Sequence, residues 1–166
     1  MNKAIFLDRD GVINNDTGHY YIYKPEDFVL NEGVIEALQL FKANGFLLIL
    51  ISNQGGISRG LYAKEDVEKV HALFTNILSQ HHIQLDEIYY CPHHSEYENC
   101  LCRKPKPLMI EKALARFDID PKQSWMIGDH AKDLEVAENA GVKGLQIEKN
   151  SNLLVAAKQI IYGFQV

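Results

Sequence analysis

Four apolar residues, Ala4-Ile5-Phe6-Leu7, run straight into Asp8-Arg9-Asp10-Gly11, and this join constrains the chain more than any other stretch. A short apolar run ended by acids and a glycine reads as a buried strand that delivers Asp8 and Asp10 to its C-terminal edge. Open α/β sheets bind their ligands at that edge. Alternation along an extended chain points residues two apart the same way, so the two carboxylates share one side. Two like charges that close are costly unless a cation neutralises them or one takes a proton. A turn closed by Asp-Gly is the plainer account of such a stretch, and the rest of the chain weighs against it.

Strand and helix patterns alternate from there on. Val34 to Ala43 is an amphipathic helix with Ile35, Leu38 and Phe41 at helical spacing, stopped by Asn44-Gly45. Phe46 to Ile51 is a second strand, apolar on both faces, ending in the polar loop Ser52-Asn53-Gln54-Gly55-Gly56. Glu65 to about His81 is the longest helix, and Glu87 to Tyr90 a third strand. Pro107 starts a helix reaching Phe117, and Ser124 to Ile127 is a fourth strand that ends in Gly128-Asp129. A helix over Asp133 to Ala140, a fifth strand over Gly144 to Ile147 and a last helix over Asn152 to Ile161 complete the pattern. Five strands alternating with helices imply an α/β, doubly wound, Rossmann-like parallel sheet. The expectation is one domain over residues 1–166, with no large cap.

That skeleton carries Asp8 and Asp10, Ser52 and Asn53, Lys104, and Asp129 to one edge of the sheet, each from a separate loop. Taken singly they are ordinary: Ser-Asn makes turns, lysines sit in water, and an aspartate caps a helix. Together they are hard to obtain by accident. Asp8, Asp10 and Asp129, helped by Asp133, form a hard oxygen-rich site suited to Mg²⁺. A hydroxyl, a backbone amide and a lysine suit the spread charge of a phosphoryl group. One carboxylate can attack phosphorus while its neighbour moves the proton, provided their environments set them apart.

The net charge of −5 argues against a broad nucleic-acid or anionic-membrane footprint, so an anionic ligand must be drawn by local positive groups. The longest apolar run, Phe46 to Ile51, is too short to span a bilayer, and the N-terminus does not read as a signal peptide. The expectation is a cytoplasmic protein, monomeric by default. All three cysteines fall between positions 91 and 102, unlike a disulfide framework. Cys91-Pro92-His93 and Cys100-Leu101-Cys102 supply three thiolates and an imidazole, the ligand set of a closed, structural Zn²⁺ site, with His94 as the alternative to His93.

The set Asp8-Arg9-Asp10-Gly11, Ser52-Asn53-Gln54, Lys104 and Gly128-Asp129 through Asp133 resembles the four motifs of the haloacid dehalogenase superfamily of phosphohydrolases, over essentially the whole chain. The resemblance implies Asp8 as nucleophile, Asp10 as general acid/base, and Ser52 and Lys104 holding the transferring phosphoryl group. It implies Mg²⁺ on Asp8, the Asp10 carbonyl and Asp129. Val12 stands where a threonine is frequent, a variation the site tolerates.

The zinc loop followed by Arg103-Lys104-Pro105 narrows the resemblance to cap-less branches that act on a small phosphorylated sugar, a heptose 1,7-bisphosphate, or on an amino alcohol, histidinol phosphate. Substrate recognition would then fall to Asp16, Thr17, Gly18 and His19, to the loop from Ser52, Asn53, Gln54 and Gly55 to Arg59, and to Arg103, Lys104 and His130. The loops favour the sugar bisphosphate, with Arg59 and Arg103 as candidates for its second phosphate. The short insert between His93 and Cys100, and Gly128 to Asp133, look nearer the amino-alcohol branch. A phospho-accepting signalling domain is the rival class, but it has no need of an acid at Asp10. A silent sugar-phosphate-binding module has no need of the full acid set.

Overall fold

The computed structural model describes residues 1–163. Its frame is a five-stranded parallel sheet flanked by helices on both faces, as the alternating pattern implies. In chain order the elements are β1 (Lys3–Leu7), β2 (Asn14–Asn15), β3 (Val29–Leu30), α1 (Val34–Ala43), β4 (Phe46–Asn53), α2 (Lys64–Gln80) and β5 (Glu87–Cys91). They continue through α3 (Leu108–Arg116), β6 (Trp125–Gly128), α4 (Ala131–Ala140), β7 (Lys143–Gln146) and α5 (Leu153–Tyr162). The sheet order is β5-β4-β1-β6-β7, so β1 lies in the centre, with Leu7 level with Leu50 on one side and Ile127 on the other.

Alternation along β1 splits the core in two. Ile5 and Leu7 face α1, α2 and α5 and pack with Leu38, Phe41, Leu50, Phe74 and Leu153. Ala4 and Phe6 face the other way, against Met109, Ile110, Val136 and Ala137 of α3 and α4. Helices on both faces explain why Ala4–Leu7 of β1 and Phe46–Ile51 of β4 are unbroken apolar runs.

Three differences from the sequence-based elements bear on the site. β4 continues through Ser52 and Asn53, because these pair with Tyr90 and Cys91 of β5. The helix expected to start at Asp133 starts at Ala131, since the His130 ring accepts the Lys132 N–H and Asp133 accepts the His130 N–H, a reciprocal cap. The two-residue strands β2 and β3 form a small antiparallel sheet that closes the loop after Asp10, and are too short for periodicity to show. No helix among the described residues is long and apolar enough to cross a membrane.

Leu50 is fully buried at the middle of β4. Leu50→Ala should lower the unfolding free energy by about 2–5 kcal/mol, read as a lower urea midpoint at unchanged slope. A loss below about 0.5 kcal/mol would mean that this core is not packed as described.

Candidate active site

Because the strands are parallel, β1, β4, β5 and β6 all end on one edge, and four loops deliver the polar groups there. The Lys104 ammonium sits 2.9 Å from Asp8 Oδ1 and 2.6 Å from Asp133 Oδ1, with only 4% of its side chain exposed. Burial alone would lower the lysine, but the Asp8 and Asp133 charges outweigh it and hold the ammonium above its usual range. Burial pushes the Asp8 carboxyl up to about 7 against the pull of Lys104, with the Asp133 charge adding to the rise. Asp129 is raised as well, by burial and then by Asp133. Oxygens of Asp8, Asp129 and Asp133 lie within 4.8 Å of one another. Crowded, half-desolvated carboxylates of this kind fit a hard divalent cation such as Mg²⁺.

Two glycines make the crowding possible. A Cβ on Gly11, whose φ is +85°, would come 2.5 Å from Asp129 Oδ2, and one on Gly128 would come 2.1 Å from the Asp133 Cβ. Asp133 Oδ2 meanwhile accepts the His130 N–H at 3.2 Å, so its two oxygens are committed to Lys104 and to the start of α4.

Asp10 is clamped from three elements. Arg9 donates from Nε to Oδ1 at 3.0 Å and from Nη2 to Oδ2 at 3.1 Å. Asn14 Nδ2 donates to Oδ1 at 3.0 Å, and Gln54 Nε2 to Oδ2 at 3.2 Å. Arg9 is fully buried, also donates to the Ile22 carbonyl, and has Nη1 3.4 Å from His71 Nε2. Burial and then the Arg9 charge push His71 down to about 3, so it stays neutral and can accept from the guanidinium. Among the described residues, Asn14 Oδ1 is the one buried side-chain polar atom without a partner, since its amide nitrogen is committed to Asp10.

The residues singled out in the sequence divide into three groups. Asp8, Asp10, Asn53, Lys104 and His130 line one hollow of about 160 Å³, together with Lys132 and Asp133. Ser52 is nearly buried, with its Oγ receiving Gln54 Nε2 at 2.8 Å. The side chains of Asn53 and Gln54 are engaged inside the protein. Asn53 accepts the Lys104 N–H at 3.0 Å and donates to its carbonyl at 3.2 Å, pinning the loop that carries the lysine. Gln54 is 1% exposed and has both amide ends bonded.

The loop from Asp16 to His19 does not line this hollow. Asp16 pairs with Lys149 at 2.8 Å and with Asn150 at 3.0 Å, while Thr17 and His19 line a separate hollow of about 560 Å³ with Glu26, Asp27 and Glu32. Gly18, at φ +80°, makes the turn between them. Arg59 Nη1 donates to the Tyr21 hydroxyl at 3.3 Å, and Arg103 Nη1 to the His93 carbonyl at 3.0 Å. A Cβ on Gly55 would meet that Arg103 nitrogen at 2.9 Å. Sequence reasoning passed over Arg9, His71, Tyr62 and Lys132. Only Arg9, wedged between the two acids, carried a visible signal.

Behind Lys104, side-chain atoms of Cys91, His93, Cys100 and Cys102 lie within 4.8 Å of one another. A tetrahedral Zn²⁺ with ordinary bond lengths places sulfurs about 3.8 Å apart and sulfur and nitrogen about 3.5 Å apart. The Cys91–Cys100 separation is 3.7 Å, and His93 Nδ1 stands 3.5 Å from Cys91 and 3.4 Å from Cys102. The Cys91–Cys102 pair, at 2.9 Å, is closer than that geometry. His94 turns instead to Glu96 and Tyr97, which selects His93 as the fourth member. The Arg103 N–H points at Cys100 Sγ at 3.4 Å, joining the cluster to the loop that carries Lys104.

His71 also makes a test of the clamp on Asp10. Its pKa is about 3 folded against 6.5 unfolded, so between these values only the unfolded chain binds the proton. Stability therefore rises with pH across that window and is lost as pH falls through it. His71→Gln keeps an acceptor near Arg9 and removes the titration. Its urea midpoint should fall less steeply than the parent's on acidification, and parallel curves would show that His71 is not held neutral.

A family model described as HAD-hydrolase-like matches residues 101–157. The D-glycero-beta-D-manno-heptose-1,7-bisphosphate 7-phosphatase of Pasteurella multocida is 42% identical over 154 residues, covering 90% of this chain and 83% of its own. The D-glycero-alpha-D-manno-heptose-1,7-bisphosphate 7-phosphatase of Campylobacter jejuni is 44% identical over 84% of this chain and 78% of its own. The crystal structure of D,D-heptose 1,7-bisphosphate phosphatase from B. bronchiseptica, complexed with magnesium and phosphate, superposes with a TM-score of 0.88 at 27% identity, covering 98% of this chain and 99% of that one. With its acids, lysine and glycines placed as described, the chain belongs to the heptose-1,7-bisphosphate 7-phosphatase family of haloacid dehalogenase-like hydrolases.

Proposed function

We propose that this protein is a Mg²⁺-dependent phosphatase that removes the C7 phosphate of D-glycero-D-manno-heptose 1,7-bisphosphate through an aspartyl-phosphate. The observation that carries this reading is the meeting of Asp8, Lys104 and Asp133 at 2.6–2.9 Å, next to a second acid, Asp10, clamped by four hydrogen bonds. Asp8 attacks phosphorus, the bond to the C7 oxygen breaks, and Asp10 gives its proton to the departing oxygen. Water then attacks phosphorus, Asp10 takes back a proton, and the bond to Asp8 breaks to free inorganic phosphate. Lys104 and Ser52 hold the phosphoryl oxygens through both steps. Asp8, the Asp10 carbonyl and Asp129 would hold Mg²⁺, which when bound offsets the negative charge gathered there. Asp133 works by fixing Lys104 and the start of α4.

The substrate assignment rests on the relatives' printed activities and on positive charge beside the hollow. Lys132 lines both the Asp8–Lys104 hollow and an adjoining one of about 200 Å³ that also holds Arg103 and Lys106. A second phosphate about the length of a sugar away would rest there, with Arg59 on the tyrosine side as the other candidate. The Cys91, His93, Cys100 and Cys102 cluster is assigned to structural Zn²⁺, which would stiffen the loop delivering Arg103 and Lys104.

Phosphate release from the α and β anomers of the heptose bisphosphate, and from histidinol phosphate, tests the substrate at equal concentration with Mg²⁺. A preference of at least tenfold for a heptose bisphosphate is expected, and a preference for histidinol phosphate would reassign the substrate while leaving the chemistry. Asp8→Asn should abolish turnover, and Asp10→Asn should accumulate aspartyl-phosphate detectable by mass; turnover by Asp8→Asn near the parent rate would end the nucleophile assignment. For the metal loop, elemental analysis should find one zinc in the parent and little in Cys100→Ser, with a lower melting temperature. Zinc content unchanged by that substitution would rule out the four-residue site.

A further inference from the structure

Tyr62 takes no part in the chemistry set out above, yet its hydroxyl ends the hydrogen-bond chain that reaches the acid/base. It lies just ahead of α2, 7% exposed, stacked on Tyr23 with ring centroids 4.9 Å apart and edge-on to Tyr21 at 5.4 Å. Its ring also fills the space against Gly56, where an added Cβ would come within 2.1 Å. So held, its hydroxyl donates to Gln54 Oε1 at 2.8 Å. Gln54 Nε2 then spends its two hydrogens on Asp10 Oδ2 at 3.2 Å and Ser52 Oγ at 2.8 Å. One amide thus ties the acid/base to the hydroxyl that cradles the phosphoryl group, and Tyr62 decides which end of that amide faces them.

We infer that Tyr62 is a positioning residue for general acid catalysis, acting through Gln54 on Asp10. The need for it follows from the amide itself, whose two ends differ only in which donates and which accepts. A half-turn of Gln54 would set its carbonyl against the Asp10 carboxylate and the Ser52 oxygen. The Tyr62 hydroxyl, fixed by its stacked ring, donates to Gln54 Oε1 and so holds the N–H₂ end toward Asp10.

This inference rests on the phosphatase reading and adds to it a residue that touches no reactant. Its test compares kcat/KM, which reports the steps up to phosphoryl transfer onto Asp8, for two esters. The heptose bisphosphate has a poor alkoxide leaving group that needs a proton, whereas p-nitrophenyl phosphate has one that does not. Tyr62→Phe keeps the stacked ring and removes only the hydroxyl. It should lower kcat/KM for the heptose bisphosphate by about tenfold or more through kcat, with KM held, and leave p-nitrophenyl phosphate within about twofold. Gln54→Met, which removes the amide, should lose at least as much on the heptose bisphosphate and carries the test should Tyr62→Phe fail to fold. An equal fall on both esters for Tyr62→Phe, or no fall on the sugar phosphate for either variant, would overturn the inference. Parent enzyme inactive on both esters would instead bring down the phosphatase reading.

Discussion

One buried lysine holds this active site together. Lys104 sits in a loop, almost wholly removed from water, with its ammonium against two carboxylates, Asp8 at the end of β1 and Asp133 in the first turn of α4. Burial raises the Asp8 carboxyl even with Lys104 beside it, and an ammonium at that depth without carboxylate partners would be costly. Their mutual neutralisation lets three elements meet in a dry pocket, where electrostatic forces on a phosphoryl group are strongest. Much of the remaining structure can be understood as what keeps that lysine in place. Asn53 pins its backbone from the end of β4, the cysteine cluster braces the residue before it, and the cap of α4 orients Asp133.

The same economy governs Asp10. Arg9 lies between the two acids in sequence yet is turned entirely inward, where its guanidinium grips Asp10 and meets the neutral ring of His71. A flexible carboxylate at a solvent-facing strand end would lose geometry with every rotamer change. Donors from Arg9, Asn14 and Gln54 remove that freedom before a substrate arrives, so the cost of ordering is met by folding.

Legibility in the sequence followed the physical range of each interaction. The strand–helix pattern, Asp8, Asp10, Ser52, Lys104 and Asp129 could be read because hydrophobic periodicity and polar strand ends are local signals. The cysteine cluster could be read because its four members lie within twelve residues. Placing residues within loops was harder. Asp16, Thr17 and His19 read as part of the substrate mouth from their position after Asp10, while their contacts with Lys149 and Asn150, distant in sequence, could not be read. Asn53 and Gln54 both looked open to ligand because they follow an apolar run; Asn53 does line the hollow, whereas the approach of Tyr62 and Asp10 buries the Gln54 amide.

The chain by itself determined a parallel α/β sheet, the edge at which chemistry-bearing residues gather, and the identity of the acids and lysine there and of the clustered cysteines and histidine. These depend on residue type and short-range spacing, which survive without knowledge of contacts. Tertiary structure alone decided which polar groups meet a reactant and which serve other side chains. Arg9, His71, Tyr62 and Gln54 became one network around Asp10, and Lys132 came to the rim of the site. Hydrogen bonds reach only about 3 Å, so a partner across many residues of chain is set by how loops pack, and no local pattern records it.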